Sequence, residues 1–263
     1  MDRPAAEVET TALTVPVSLR AQSVELTVAP VFVEAGLRAA PHSLLALEER
    51  LRSARLPAGQ DRARFVASRA LLRTTVGRLV GIAAEEVLVV DGPGRTWIDG
   101  PGGALEVGMA SGGSAVAVAL SRSGPVGIAI EPVGLLAPTA ISQALTLRER
   151  AAAMRLPEPL RSSSVLRSWT LKVAYANLVA GGAGLDLSTL EVASIRDRAR
   201  LELRSFLVSA GSERFRIGLA ARSPRPPFRV SLTVEPWGWT TPYRLPALPA
   251  APAYPQLESG VVA

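Results

Sequence analysis

The run Val126-Gly127-Ile128-Ala129-Ile130-Glu131 joins a short apolar stretch to a terminal carboxylate. Pro132 follows, and a residue without an N–H closes a strand ladder. Side chains along a strand alternate faces. Val126, Ile128 and Ile130 therefore share one side, and Gly127, Ala129 and Glu131 the other. That second side offers two very small residues and one acid, the pattern of a strand lining a pocket. The chemistry it suggests is acid–base work by Glu131. A second singular residue is Lys172, the one lysine in a chain whose other basic positions are all Arg. An ammonium kept there points to a site that needs a compact point charge, or to a helix residue that lays its stem on apolar surface.

These residues lie in two stretches that resemble a known family. Val126–Glu131 resembles the V-G-I-D-I-E signature of the Sfp-type 4′-phosphopantetheinyl transferases, with Ala129 at the family's Asp. Trp169-Thr170-Leu171-Lys172-Val173-Ala174-Tyr175 resembles its W-x-x-K-E-A/S-Y/F helix, with Val173 at the Glu. The resemblance spans about residues 60–221. It implies transfer of phosphopantetheine from coenzyme A to a carrier-protein serine, with Mg²⁺ bridging the pyrophosphate. It also implies that three acids hold the ion, two of them on one strand face about 6.6 Å apart by Cα. Here Glu131 alone remains as a metal ligand.

The family's nucleotide-binding positions fall on Arg73, Arg95, Ser111 and Lys172. Ser111 stands in Ala110-Ser111-Gly112, where the family has S-H-S. Glu149 takes the place of the acid in F-x-x-x-E, and Asn177 that of a family Lys.

Three functions follow as expectations. The leading one is a degraded transferase site reused without metal, in the cyclisation or rearrangement of a polyketide or acyl intermediate. Glu131, Glu149, Lys172 and Tyr175 would serve there as acid, base or hydrogen-bond donor. The second is a divergent but active transferase using coenzyme A and Mg²⁺. The third is a non-catalytic module that binds coenzyme A or a carrier protein. The expected partners are an acyl or peptidyl carrier protein or a small biosynthetic intermediate, acting on a monomer.

The bulk composition narrows the classes. The chain has 263 residues, of which 48% are hydrophobic and 20% charged, with no cysteine and one histidine, His42. Disulfides, thiolate metal sites and zinc centres are thereby excluded or strongly disfavoured. The formal charge of +6 suits an anionic partner, although an overall preference for Arg over Lys explains it equally. Aromatic residues do not interleave with the basic ones, which argues against nucleic acid. No long apolar run predicts a membrane span, the first residues lack a basic leader pattern, and a cytoplasmic location is expected.

The elements that must hold these residues read as helix then strands, repeated. Helices are expected at Ser43–Ala54, Gln60–Leu79, Thr139–Met154 and Ser162–Ala180. Strands are expected at Ser23–Glu34, Glu86–Val90, Thr96–Asp99, Leu105–Met109, Ser114–Leu120 and Val126–Glu131. Further strands are expected at Ser188–Ser194, Arg200–Ser209, Arg214–Ala221 and Phe228–Glu235. Ser121–Pro125 reads as a hairpin connection. The fold class is α+β, a pseudo-twofold phosphopantetheinyl transferase-like fold of two similar α+β halves. The division expected is 1–131, 132–235 and a Pro-rich tail, 236–263.

Overall fold

The alternating strands sort into two packed sheets. The protein is seen in a computed structural model that describes residues 23–31, 40–99, 104–134, 145–180, 184–196, 201–222 and 229–235. Its strands are β1 (Ser23–Pro30), β2 (Val89–Gly92), β3 (Arg95–Ile98), β4 (Leu105–Gly112) and β5 (Ala115–Ser121). After them come β6 (Val126–Pro132), β7 (Leu201–Ala210), β8 (Glu213–Arg222) and β9 (Arg229–Val234). The helices are α1 (Ala40–Ser43), α2 (Leu47–Arg55), α3 (Gln60–Val80), α4 (Leu147–Met154), α5 (Leu160–Ala180) and α6 (Val192–Arg196). The class is mixed α+β.

One sheet has the order β2-β3-β4-β5-β1-β9 and the other β6-β8-β7. Their inner faces meet in a core built from Val24, Leu26 and Val28, Ile128 and Ile130, and Phe215 and Ile217. Helix α3 covers the outer face of the first sheet through Leu71, Leu72 and Val76. Helix α5 covers the second through Leu171, Ala174 and Tyr175. Helix α3 ends where the sequence predicts, with Gly81 at φ +77° and its N–H on Gly77 O.

Several local expectations are corrected. Ser121–Pro125 is no hairpin: β5 pairs with β4 and β1, whereas β6 pairs with β8, and Gly124 at φ +138° turns the chain between sheets. Residues 188–194 are not a strand but a 3₁₀ turn, Leu187–Thr189, leading into α6. Asp186 caps that turn by accepting from Ser188 N at 2.9 Å, a local bond that outweighs the β-branched composition. The strand expected from Glu86 begins at Val89, because Ala84–Glu86 is a 3₁₀ turn. The helix expected from Ser43 breaks before Leu47, where Glu49 accepts from Ala46 N at 2.9 Å and starts α2. Helix α4 begins at Leu147 behind the cap Thr146; residues 139–144, the leader 1–20 and the tail 236–263 lie outside the described residues.

A division at 131 does not follow the sheets. Strand β6 belongs with β8 and β7, and β9 returns to pair in parallel with β1. Among the described residues, no helix is long and apolar enough to cross a membrane.

The β1–β9 seam contains a buried acid. Glu25 is 8% exposed beside Ser231, Thr233 and Arg78, and burial raises its pKa against their combined lowering pull. A carboxyl raised in the folded state contributes its full stability below the unfolded value and loses it as pH rises through the folded one. Glu25→Gln is therefore expected to raise Tm at neutral pH and to leave it nearly unchanged at about pH 4, below the ordinary value of 4.5. Thermal scans at the two pH values check this; an equal change at both would contradict it.

Candidate functional site

The face of β6 expected to border open space is instead covered by helix α5. A Cβ on Gly127 would lie 2.1 Å from Ala174 O, and one on Gly218 of β8 would lie 2.1 Å from Thr170 O. The two glycines let helix backbone rest on sheet backbone, and Asn177 Nδ2 secures the contact by donating to Ile128 O at 2.8 Å. Ala129 is 4% exposed against Leu171, Ala174 and Tyr175, and half-buried Val173 packs on the same cluster. Small side chains here serve close packing. The expected cleft beside Gly127 and Ala129 is absent for that reason.

Glu131 lies beyond this covered stretch, half-buried at the end of β6. Trp169 Nε1 donates to Glu131 Oε1 at 3.2 Å. Across the ladder its partner is Arg216 of β8, whose Nη2 donates to Ser163 Oγ in the first turn of α5 at 2.9 Å. The β4–β5 turn packs on the same end: a Cβ on Gly112 would meet Ile130 O at 2.1 Å, and exposed Ser111 precedes it. Gly113 O accepts from Gln60 Nε2 at 3.0 Å and from Arg64 Nη2 at 2.7 Å, tying α3 to the turn.

Glu149 and Lys172 do come together. Lys172, 0% exposed, donates Nζ to Glu149 Oε2 and to Leu187 O, the latter at 3.1 Å. Glu149 also accepts from Thr146 N and Val192 N, both at 3.0 Å, so one carboxylate joins α4, α5 and α6. The first half contains the same device. Arg73, 3% exposed, donates to Glu49 at 2.9 Å and to Val87 O at 2.7 Å. Acid and cation are 24 residues apart in that clamp and 23 in the other, with a Leu-Pro pair, Leu56-Pro57 and Leu156-Pro157, between them.

The remaining candidates are dispersed. Tyr175 is 5% exposed in the apolar cluster under α5. Arg95 is exposed on β3, stacked 5.1 Å from the Trp97 ring and paired with Glu106. Glu131 and Ser111 thus lie at one end of the sandwich, Glu149 and Lys172 in one clamp, and Arg73 in the other.

Among the described residues, no three His, Asp or Glu side chains group to hold a metal, and the neighbours of Glu131 on its own face are Ala129 and Gly127.

Sequence reasoning missed Glu49, Arg216 and Ser163. Glu49 was detectable, because its seven-residue spacing to Leu56-Pro57 repeats from Glu149 to Leu156-Pro157, and its spacing to Arg73 matches that of Glu149 to Lys172 to within one residue. Arg216 was not, since the pairing of β6 with β8 is needed to bring it to Glu131. No protein-family model and no curated protein matches this chain.

Proposed function

We propose that this chain keeps a pseudo-twofold, phosphopantetheinyl transferase-like scaffold without the transfer chemistry. Its working end is the Glu131 end of the sandwich, where it acts without metal on an acyl or polyketide intermediate brought by a carrier protein. It does so as a cytoplasmic monomer. The repeated acid–cation clamp supports the two-halves scaffold. The observation that carries the functional reading is the environment of Ala129 and Val173. Both sit in the apolar packing of α5, which leaves Glu131 as the carboxylate at the strand end.

A metal bridge between phosphates needs several hard oxygen ligands. One carboxylate with an indole N–H on it is suited instead to moving a proton. The two cations placed by resemblance at the nucleotide, Arg73 and Lys172, are enclosed in their clamps. That arrangement favours neither coenzyme A binding nor transfer.

Incubation with an apo acyl-carrier protein, coenzyme A and Mg²⁺, followed by intact-mass measurement, tests the reading. The expected result is an unchanged carrier mass. Coenzyme A is also expected to leave Tm unchanged, whereas a ligand at 100 times its Kd would add about 2.7 kcal/mol of stability. A carrier protein that gains one phosphopantetheine would overturn the reading.

A further inference from the structure

Helix α4 buries one face and leaves an apolar one in solvent. Its inner face holds Ala153, which with Leu145 and Val165 packs on Trp169, the residue that donates to Glu131. On the outside, Leu147, Ala151 and Met154 fall at i, i+4 and i+7, one stripe of a helix. All three are exposed, Leu147 by 83% and Met154 by 62%. Core packing therefore does not account for this stripe. Arg148 and Arg155, both exposed and two turns apart, line one edge of it. Glu149 is drawn into the clamp with Lys172, so the charge along the outer face of α4 is positive. Arg148 does lie 3.6 Å from Glu191, but its side chain is 86% exposed, and a surface pair of that kind is worth little.

The first half supplies a comparison. Leu47, Leu51 and Ala54 of α2 repeat the stripe, with Arg55 at the place of Arg155. There Glu48 stands where α4 has Arg148, and Arg52 lies 3.8 Å from Asp91. The charge on α2 is mixed, and that helix packs on α3 in the other half.

We propose that α4 is a docking face for an acidic amphipathic helix of a partner protein. The partner's apolar side covers Leu147, Ala151 and Met154, and its carboxylates meet Arg148 and Arg155. The inference rests on the reading above that the Glu131 end is the working end, because a partner on α4 would lie across that helix from Trp169. Charge complementarity selects an acidic partner and disfavours a basic one. Two turns of helix carry too little apolar area for stable adsorption to a lipid surface, where binding scales with the area buried. The contact is small even for a protein, so the complex is expected to be transient.

The probe is a fluorescein-labelled helical peptide of about 20 residues, long enough to hold a helix, with Leu along one face and Glu on the flanks. A second peptide carries Lys in place of each Glu. Anisotropy on the full chain is expected to give a Kd on the order of 10–100 μM for the acidic peptide and at least about tenfold weaker binding for the basic one. Leu147→Gln, Met154→Gln and Arg155→Glu should each weaken the acidic peptide about tenfold or more. Added salt should weaken wild type more than Arg155→Glu. Leu47→Gln, at the matching place on α2, should bind like wild type. Thermal scans establish that each variant is folded.

No binding of the acidic peptide, equal affinity for the two peptides, or wild-type affinity in folded Leu147→Gln and Met154→Gln overturns the docking face. Tighter binding to phosphatidylserine vesicles than to the peptide, lost in the same variants, overturns it in favour of a membrane. The carrier-protein mass assay on the same preparation keeps the two readings apart. A mass gain together with peptide binding removes the loss-of-transfer reading and leaves the docking face standing. Silence in both assays removes the docking face and leaves the loss of transfer standing.

Discussion

Lys172→Met is expected to destabilise the protein by about 3 kcal/mol, the low end of the ~3–5 kcal/mol typical for breaking a buried ion pair. Methionine fills much the same volume, so the change removes charge rather than packing. Glu149 would keep Thr146 N and Val192 N but lose its cation, while Leu187 O would lose the lysine and keep Leu190 N. The cost is set by that uncompensated carboxylate, which keeps only 17% of its side-chain surface exposed. For a chain of this size, about 3 kcal/mol corresponds to a Tm lower by roughly 6–12 °C. Glu149→Gln in the Lys172→Met background should restore part of the loss, because no buried charge then remains unmatched. Thermal scans of the single and double variants measure this. A Tm for Lys172→Met within about 2 °C of wild type would show that the pair is not structural.

The second large effect is expected from the glycines under α5. In Gly127→Ala the new Cβ would stand 2.1 Å from Ala174 O and 2.5 Å from Leu178 N, and both contacts are helix backbone that cannot rotate aside. The helix must lift, which loosens its apolar contact with Ala129, Leu203 and Ala220. Overpacking of this kind costs about 1–3 kcal/mol, and the upper end is expected because the obstacle is backbone. Gly218→Ala should behave alike, its Cβ lying 2.1 Å from Thr170 O. Because both act through one helix, the double variant should depart from additivity. Gly134→Ala is the control, with nothing within 4 Å of its Cβ, and should stay within about 0.5 kcal/mol of wild type. Urea unfolding gives the energies, and faster amide exchange along α5 would show the helix lifting. A wild-type midpoint for Gly127→Ala would falsify the close approach.

The same glycine shows where local sequence stops being decisive. A strand face of Gly127, Ala129 and Glu131 fits two environments, an open pocket or the backbone of a helix pressed close. Both demand small side chains, so the residues alone cannot separate them. Position 218 decides it, since a second glycine one strand away completes the groove in which α5 lies. Lys172 has the same character. Its solitary status marked it as special, but Glu149, Val192 and the 187–189 turn had to be assembled before its clamp between helices could be seen.

By itself the sequence determined what depends on neighbours a few residues apart. The inward row Val126, Ile128 and Ile130 follows from the two-residue period of a strand, and the end of α3 follows from a glycine free to take a positive φ. The mixed α+β class follows from the succession of those patterns. Only the tertiary structure decided sheet membership, which separates β5 from β6 and carries β9 back to β1. It alone placed Arg216 opposite Glu131. These are long-range pairings, chosen by which apolar faces can be buried together. Two strands with equally apolar faces look alike until the whole chain competes for the same core.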